Sequence, residues 1–212
     1  MKKRLLSVIL AALMTVGVIV SAIPAVSAAE MNFKDVKADD WFASAVEYAY
    51  VNRIMNGTSA DKFSPNAITN RARVITVLWR LEGGPKAGSE SSFKDLKDDW
   101  YLEAVAWGYE KGLILGYTSQ RFAPEEPVTR EQLCAILYRY TAFKGGDVSA
   151  RAKLDAFPDA DKVSEYAKDP MAWAVDLGIV TGSKNQGVTV LDPTGSATRA
   201  MFAAIMMRYA AK

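Results

Sequence analysis

Histidine is absent from the 212-residue chain, and cysteine occurs once, as Cys134. The first absence removes every His-based triad. With one thiol and only carboxylates left, it also disfavours a zinc site, which is ordinarily built from imidazole and thiolate ligands. The second absence rules out an intramolecular disulfide, so the fold must be held by its own core. Neither charge dominates, since 26 Lys and Arg stand against 24 Asp and Glu. No metal and no cofactor are expected.

The slight basic excess belongs to the first residues. Lys2, Lys3 and Arg4 precede an apolar run from Leu5 to about Ile23, followed by Pro24 and the small-residue stretch Ala25-Val26-Ser27-Ala28-Ala29. That order reads as a secretory signal peptide over residues 1–28, with cleavage expected after Ala28 and Ala29 as the other candidate. The alternative is an uncleaved anchor, because a run of roughly 20 apolar residues is long enough to span a bilayer. Cleavage takes away three basic residues and no acids, leaving a net charge of −1. A chain so nearly neutral lacks the positive field that nucleic acid or an anionic membrane requires, so neither is an expected partner after processing. The remaining 184 residues suffice for a buried core. Cys134 sits in the run Leu133-Cys134-Ala135-Ile136-Leu137 and reads as a small buried thiol.

Comparing the chain with itself reveals three units. The first runs Phe33-Lys34-Asp35-Val36, Asp40-Trp41, Asn56-Gly57, Phe63-Ser64-Pro65, Asn70-Arg71-Ala72. The second runs Phe93-Lys94-Asp95-Leu96, Asp99-Trp100, Leu115-Gly116, Phe122-Ala123-Pro124, Thr129-Arg130-Glu131. The third is looser: Phe157-Pro158-Asp159, Tyr166-Ala167, Thr181-Gly182, Leu191-Asp192-Pro193, Thr198-Arg199-Ala200. Trp41 to Phe63 and Trp100 to Phe122 are both 22 residues, and Phe to Arg is eight in every unit once Leu191 stands for Phe. The third unit carries three extra residues between Gly182 and Leu191. Units are expected over 33–85, 93–146 and 157–212, joined by the polar linkers at 83–89 and from Gly145 to about Lys153.

Each unit reads as two helices. In the second, Asp98 or Asp99 serves as N-cap, Trp100, Ala104, Trp107 and Gly108 form a stripe, and Gly112 stops the helix. The next helix starts near Thr129, which forms a capping box with Gln132 ahead of the stripe Leu133, Ile136, Leu137 and Tyr140. A lone helix pair cannot bury its stripe, so the spacing predicts one all-α body, a pseudo-threefold bundle of three helix-loop-helix repeats.

The order Phe-x-Asp, a helix-opening Trp, Gly-Leu/Ile-x-x-Gly, Phe-x-Pro and Thr-Arg-Ala/Glu resembles the S-layer homology (SLH) family over essentially the whole chain from Phe33 onward. The resemblance implies a secreted protein of the bacterial cell wall or S-layer. It implies inter-repeat grooves that bind secondary cell-wall polysaccharide, often at a pyruvylated N-acetylmannosamine end, with the motif arginines as ligand contacts; these are Arg71, Arg130 and Arg199. Departures from the pattern make the grooves unequal. Asn70 and Arg73 replace the motif Thr and acid in the first unit, while Tyr166 and Met201 replace the Trp and acid in the third.

The candidate ligand-binding set is Arg71, Arg130 and Arg199, with Thr129, Thr198, Trp41, Trp100, Gly57, Gly116, Gly182, Asp35 and Asp95. An Arg in the first helical turn runs against the helix dipole, and a guanidinium beside free helix N–H groups would receive a carboxylate. The competing role is an ion pair with Asp35, Asp95 or Asp159. Trp41 and Trp100 offer faces for sugar rings, but their place at the head of an apolar stripe favours core packing. Trp79 and Trp107 read as core or groove wall. The three glycines fit either a positive-φ turn or a close ligand approach, and the aspartates most simply cap local turns.

No catalytic residue is expected, and the chain reads as a non-catalytic binder. A wall glycan hydrolase would need a carboxylate pair and spare chain to carry it. A protein-interaction or self-assembly module, binding another surface protein, is the main alternative. Calcium binding would rest on Asp159 and Asp161 alone.

Overall fold

The structure, a computed structural model, describes residues 31–212. The expected signal segment at 1–28 lies outside the described residues. Six α-helices carry the fold: α1 (Ala43–Val51), α2 (Arg71–Leu81), α3 (Asp99–Glu110), α4 (Arg130–Phe143), α5 (Lys168–Asp176) and α6 (Arg199–Ala210). The sheet among the described residues is one antiparallel hairpin, β1 (Ser183–Asn185) with β2 (Val188–Val190). It is made by the extra residues of the third repeat, so the all-α expectation holds. No helix of the described residues is long and apolar enough to cross a membrane.

The helix starts follow the capping chemistry. Asn70 accepts from the Arg73 N–H at 3.0 Å. Thr129 accepts from Gln132 N at 3.2 Å while Gln132 Oε1 accepts from Thr129 N at 3.3 Å, which completes the expected box. Thr198 accepts from Met201 N at 3.2 Å. Asp98 is the N-cap of α3, and Gly112 follows the α3 C-cap with φ +66°.

Pairing of the helices is not internal to the repeats. The main helix contacts join α2 to α3, α4 to α5 and α6 to α1, so each repeat's second helix packs on the first helix of the next, and the last repeat closes on the first. The packed faces are the apolar stripes: Val74, Ile75 and Leu78 on α2, Leu133, Ile136 and Leu137 on α4, and Phe202, Ile205 and Met206 on α6, all buried.

At the centre, three segments meet in a closed cycle. Thr69 N donates to Ala197 O, Ala197 N to Val128 O, and Val128 N to Thr69 O, each at 2.9 Å. These residues are buried and lie two positions before Arg71, Val128 before Arg130, and Ala197 before Arg199. Each repeat thus satisfies a central backbone group of another, where an unpaired buried amide would cost about 1–3 kcal/mol.

Candidate ligand-binding grooves

The Phe-x-Pro loops set the geometry. In each, the middle residue takes a left-handed conformation: Ser64 at φ +58°, Ala123 at +61° and Asp192 at +49°. Such backbone costs of order 1 kcal/mol or more in non-glycine residues, so it persists only when held. The repeat aspartates hold it. Asp35 accepts from Phe63 N and Ser64 N at 2.8 Å each, Asp95 from Phe122 N and Ala123 N at 3.0 and 2.7 Å, and Asp159 from Leu191 N and Asp192 N at 2.9 and 2.8 Å.

The motif arginines grip the other side of the same peptides, from a different repeat. Arg199 Nε donates to Phe63 O at 2.8 Å, Arg71 Nε to Phe122 O at 2.9 Å and Arg130 Nε to Leu191 O at 2.7 Å. The competing role, an Arg–Asp ion pair, is therefore not what forms; the two charges meet through one peptide unit. Arg71 also donates to Leu115 O at 2.7 Å and to Gln132 Oε1 at 3.3 Å, and Arg199 to Asn56 O at 2.6 Å. Arg130 adds only a contact to Met201 Sδ at 3.9 Å. The aromatic loop residues stack beneath, with the guanidinium carbon of Arg71 4.7 Å from the Phe122 ring centre and that of Arg199 4.5 Å from Phe63.

Nor are the helix-start N–H groups free to receive an anion. Arg71 N and Ala72 N donate to Glu126 O and Pro124 O, Arg130 N and Glu131 N to Gly195 O and Pro193 O, and Arg199 N and Ala200 N to Ala67 O and Pro65 O. The first-turn amides are spent on the neighbouring repeat, so the guanidinium groups alone remain for a ligand.

Around each arginine lies a groove assembled from all three repeats. The Arg71 groove takes Gly116 and the face Gln132–Ala135–Ile136–Arg139 of α4, and Tyr166 from the third repeat. The Arg199 groove takes Gly57 and the face Arg73–Thr76–Val77–Arg80 of α2, and Trp100 from the second. The Arg130 groove takes Gly182 and the face Met201–Ala204–Ile205–Arg208 of α6, and Trp41 from the first. The cavities measure about 220, 250 and 410 Å³ respectively, and the third is also walled by Lys184 of the hairpin. No carboxylate lines any of them.

The structure thus brings Arg71, Arg130, Arg199, Gly57, Gly116, Gly182, Trp41 and Trp100 into grooves. It leaves Thr129, Thr198, Asp35 and Asp95 behind them, as helix caps and loop clamps. Core packing of the two helix-opening tryptophans is overturned. Trp41 is 63% exposed and Trp100 45%, and Tyr166, which replaces the third, is 51% exposed. Trp107 is buried as expected, and Trp79 is half-buried with its indole N–H on Pro85 O at 2.8 Å. Glycine at 57 and 116 answers to crowding: a Cβ at Gly116 would stand 2.4 Å from both the Phe93 ring and Thr118 O.

A second arginine set lies outside the repeat motifs. Arg80, Arg139 and Arg208 follow Arg71, Arg130 and Arg199 by nine residues. Nine residues is about two and a half helical turns, so the two arginines of one helix point to opposite sides and serve different grooves. Burial lowers the pKa of the Arg71, Arg130, Arg139 and Arg199 guanidinium groups. For Arg199, burial and then the nearby Arg73 cation bring it down to about 10, against a smaller pull from Asp35. All stay charged at neutral pH. Among the described residues, no group of three or more Cys, Asp or Glu is placed to hold a metal ion.

A family model described as S-layer homology domain matches residues 32–72, 92–134 and 156–200. The chain is 33% identical over 201 residues to the surface-layer 125 kDa protein of Lysinibacillus sphaericus, covering 93% of this chain and 16% of that protein. It is 31% identical over 182 residues to an amylopullulanase of Thermoanaerobacterium thermosulfurigenes, covering 84% of this chain and 9% of that enzyme. It is 25% identical over 179 residues to S-layer protein sap of Bacillus anthracis, with coverages of 84% and 22%. The chain therefore spans a small part of the length of these relatives.

Proposed function

Because the chain belongs to the S-layer homology family, in which it carries three repeats and which places it at the bacterial cell surface, we propose that its three grooves bind a secondary cell-wall polysaccharide. The ligand is an anionic glycan, with the carboxylate of a pyruvylated sugar as the group held by arginine. The module anchors and does not catalyse. The coarser reading, a cell-surface anchoring module, follows from the family itself.

One observation carries the proposal: each groove joins at least two arginines to an exposed aromatic ring and has no carboxylate in its lining. A guanidinium pairs with a carboxylate in two-pronged geometry, and an indole or phenol face covers the apolar side of a sugar ring. Hydrolysis of a glycan by a carboxylate pair would find no such pair in these grooves. Among the described residues Arg130 has a single oxygen partner, one backbone carbonyl, where Arg199 has two and Arg71 three.

The test is sedimentation of the purified secreted chain with native cell-wall sacculi and with sacculi stripped of polysaccharide. Binding to the first and loss with the second is expected. Equal binding to both rejects the reading.

A further inference from the structure

We infer that the Arg199 groove is the one that takes a stretch of glycan carrying two negative charges, and that Arg73 makes it so. This rests on the reading that the grooves bind wall polysaccharide, and adds which acidic pattern one of them selects.

The three groove-facing helix surfaces share one spacing and differ at one end. On α2, Arg73, Thr76, Val77 and Arg80 fall at i, i+3, i+4 and i+7, on one face. The same positions on α4 are Gln132, Ala135, Ile136 and Arg139, and on α6 Met201, Ala204, Ile205 and Arg208. The far end is an arginine in all three. The near end, beside the motif arginine, is charged only in the Arg199 groove. Arg73 and Arg80 stand about 10 Å apart along the helix, seven residues at 1.5 Å each.

Neither Arg73 nor Arg80 has an ion pair or a side-chain hydrogen bond among the described residues, and both are exposed. Arg73 is close enough to weigh on the buried Arg199 guanidinium, so two like charges share the near end with no acid in the lining. An anionic group bound between them relieves that repulsion, and Arg80 is left for a second. A further polar atom points the same way. Thr69 lines this groove, is 1% exposed, and its hydroxyl has no partner among the described residues. Its counterparts, Val128 and Ala197, carry no polar side-chain atom. The Arg130 groove also holds a third cation, Lys184, but it lies on the exposed hairpin with its ammonium on Thr189 Oγ1 at 2.9 Å.

The test titrates the full secreted chain with glucuronic acid, which carries one charge, and with a hyaluronan tetrasaccharide, which carries a carboxylate on every second sugar. Tryptophan indole N–H resonances report the groove, with that of Trp100 assigned through Trp100→Phe. The tetrasaccharide is expected to shift Trp100 and to bind about tenfold more tightly than the monosaccharide, as one added charge-assisted contact provides. Arg73→Gln, which installs the residue found at 132, should remove that preference, and Arg73→Lys should keep most of it. An unchanged preference in Arg73→Gln, no preference in the parent chain, or a shift of Trp41 without Trp100 overturns the inference. Sacculus sedimentation of the same preparations separates the two failures. Retained wall binding discards the charge pattern alone; lost wall binding in the parent chain discards the underlying reading with it.

Discussion

Arg71 and Asp95 never touch, yet they hold opposite sides of one peptide group. Asp95 accepts from Ala123 N at 2.7 Å, and Arg71, from the preceding repeat, donates to Phe122 O at 2.9 Å. The pair couples two repeats through a backbone unit rather than through a salt bridge. Asp95→Ala should therefore cost about 2–4 kcal/mol, for two lost bonds to a charged acceptor and a left-handed residue at 123 released from its clamp. Urea unfolding measures this. A double-mutant cycle with Arg71→Lys should be non-additive; additivity would show that the two grips act separately.

The same carboxylate sets a pH dependence. Burial pushes the Asp95 pKa up, but the Phe122 and Ala123 amides outweigh it, and the group titrates below its ordinary 3.8. A folded pKa below the unfolded one contributes stability that is complete above the unfolded value and lost as pH falls through the folded value. The stability gap between the parent chain and Asp95→Asn should thus be full at neutral pH and shrink below about pH 4. A gap that is flat across this range would contradict the assignment.

Arg53 follows the α1 C-cap at φ +58°, where α3 and α5 have Gly112 and Gly178, both at +66°. Arg53→Gly should stabilise the chain by about 0.5–1 kcal/mol and raise Tm by roughly 1–4 °C, offset in part by the added freedom of the unfolded chain. Calorimetry decides it, and a lowered Tm would mean that the Arg53 side chain contributes more than its backbone costs.

Trp41→Ala, Trp100→Ala and Tyr166→Phe test the exposed rings. For the two tryptophans stability should change by no more than about 1–2 kcal/mol, because their rings stand partly in water. Wall affinity should fall about three- to tenfold for each tryptophan. Tyr166→Phe removes the hydroxyl that donates to Glu131 Oε1 at 3.0 Å but keeps the ring, so affinity should hold. Full affinity in both tryptophan variants would assign the rings some other task.

Cys134 is fully buried, and burial pushes its thiol up to about 12. It should resist thiol reagents in the native chain and react only at the rate of unfolding. Fast labelling under native conditions would contradict its place in the core.

What the sequence made legible is what is local. Thr129 with Gln132, Asn70 as a cap and Gly112 as a stop are read within one helical turn, and each is where the pattern puts it. What it concealed is what crosses between repeats. Phe63 N binds Asp35, 28 residues away, and Phe63 O binds Arg199, 136 residues away, so no local rule distinguishes a turn cap from a clamp. Trp41 heads a helix that instead packs through Ala45, Val46 and Ala49, which leaves the indole outside. The helix-start amides looked open because their acceptors lie in the next repeat's Phe-x-Pro loop. The nine-residue arginine interval is plain in the chain, but gains meaning only once each helix is seen as a wall between two grooves.

The cycle through Thr69, Val128 and Ala197 has neither a beginning nor an end. An open array of repeats can lengthen by one unit, because its last member offers a free face to a newcomer. Here α6 already covers α1, so a fourth copy would find no vacant place, and a pair would leave two helices uncovered. Such a protein can gain capacity only in whole sets of three.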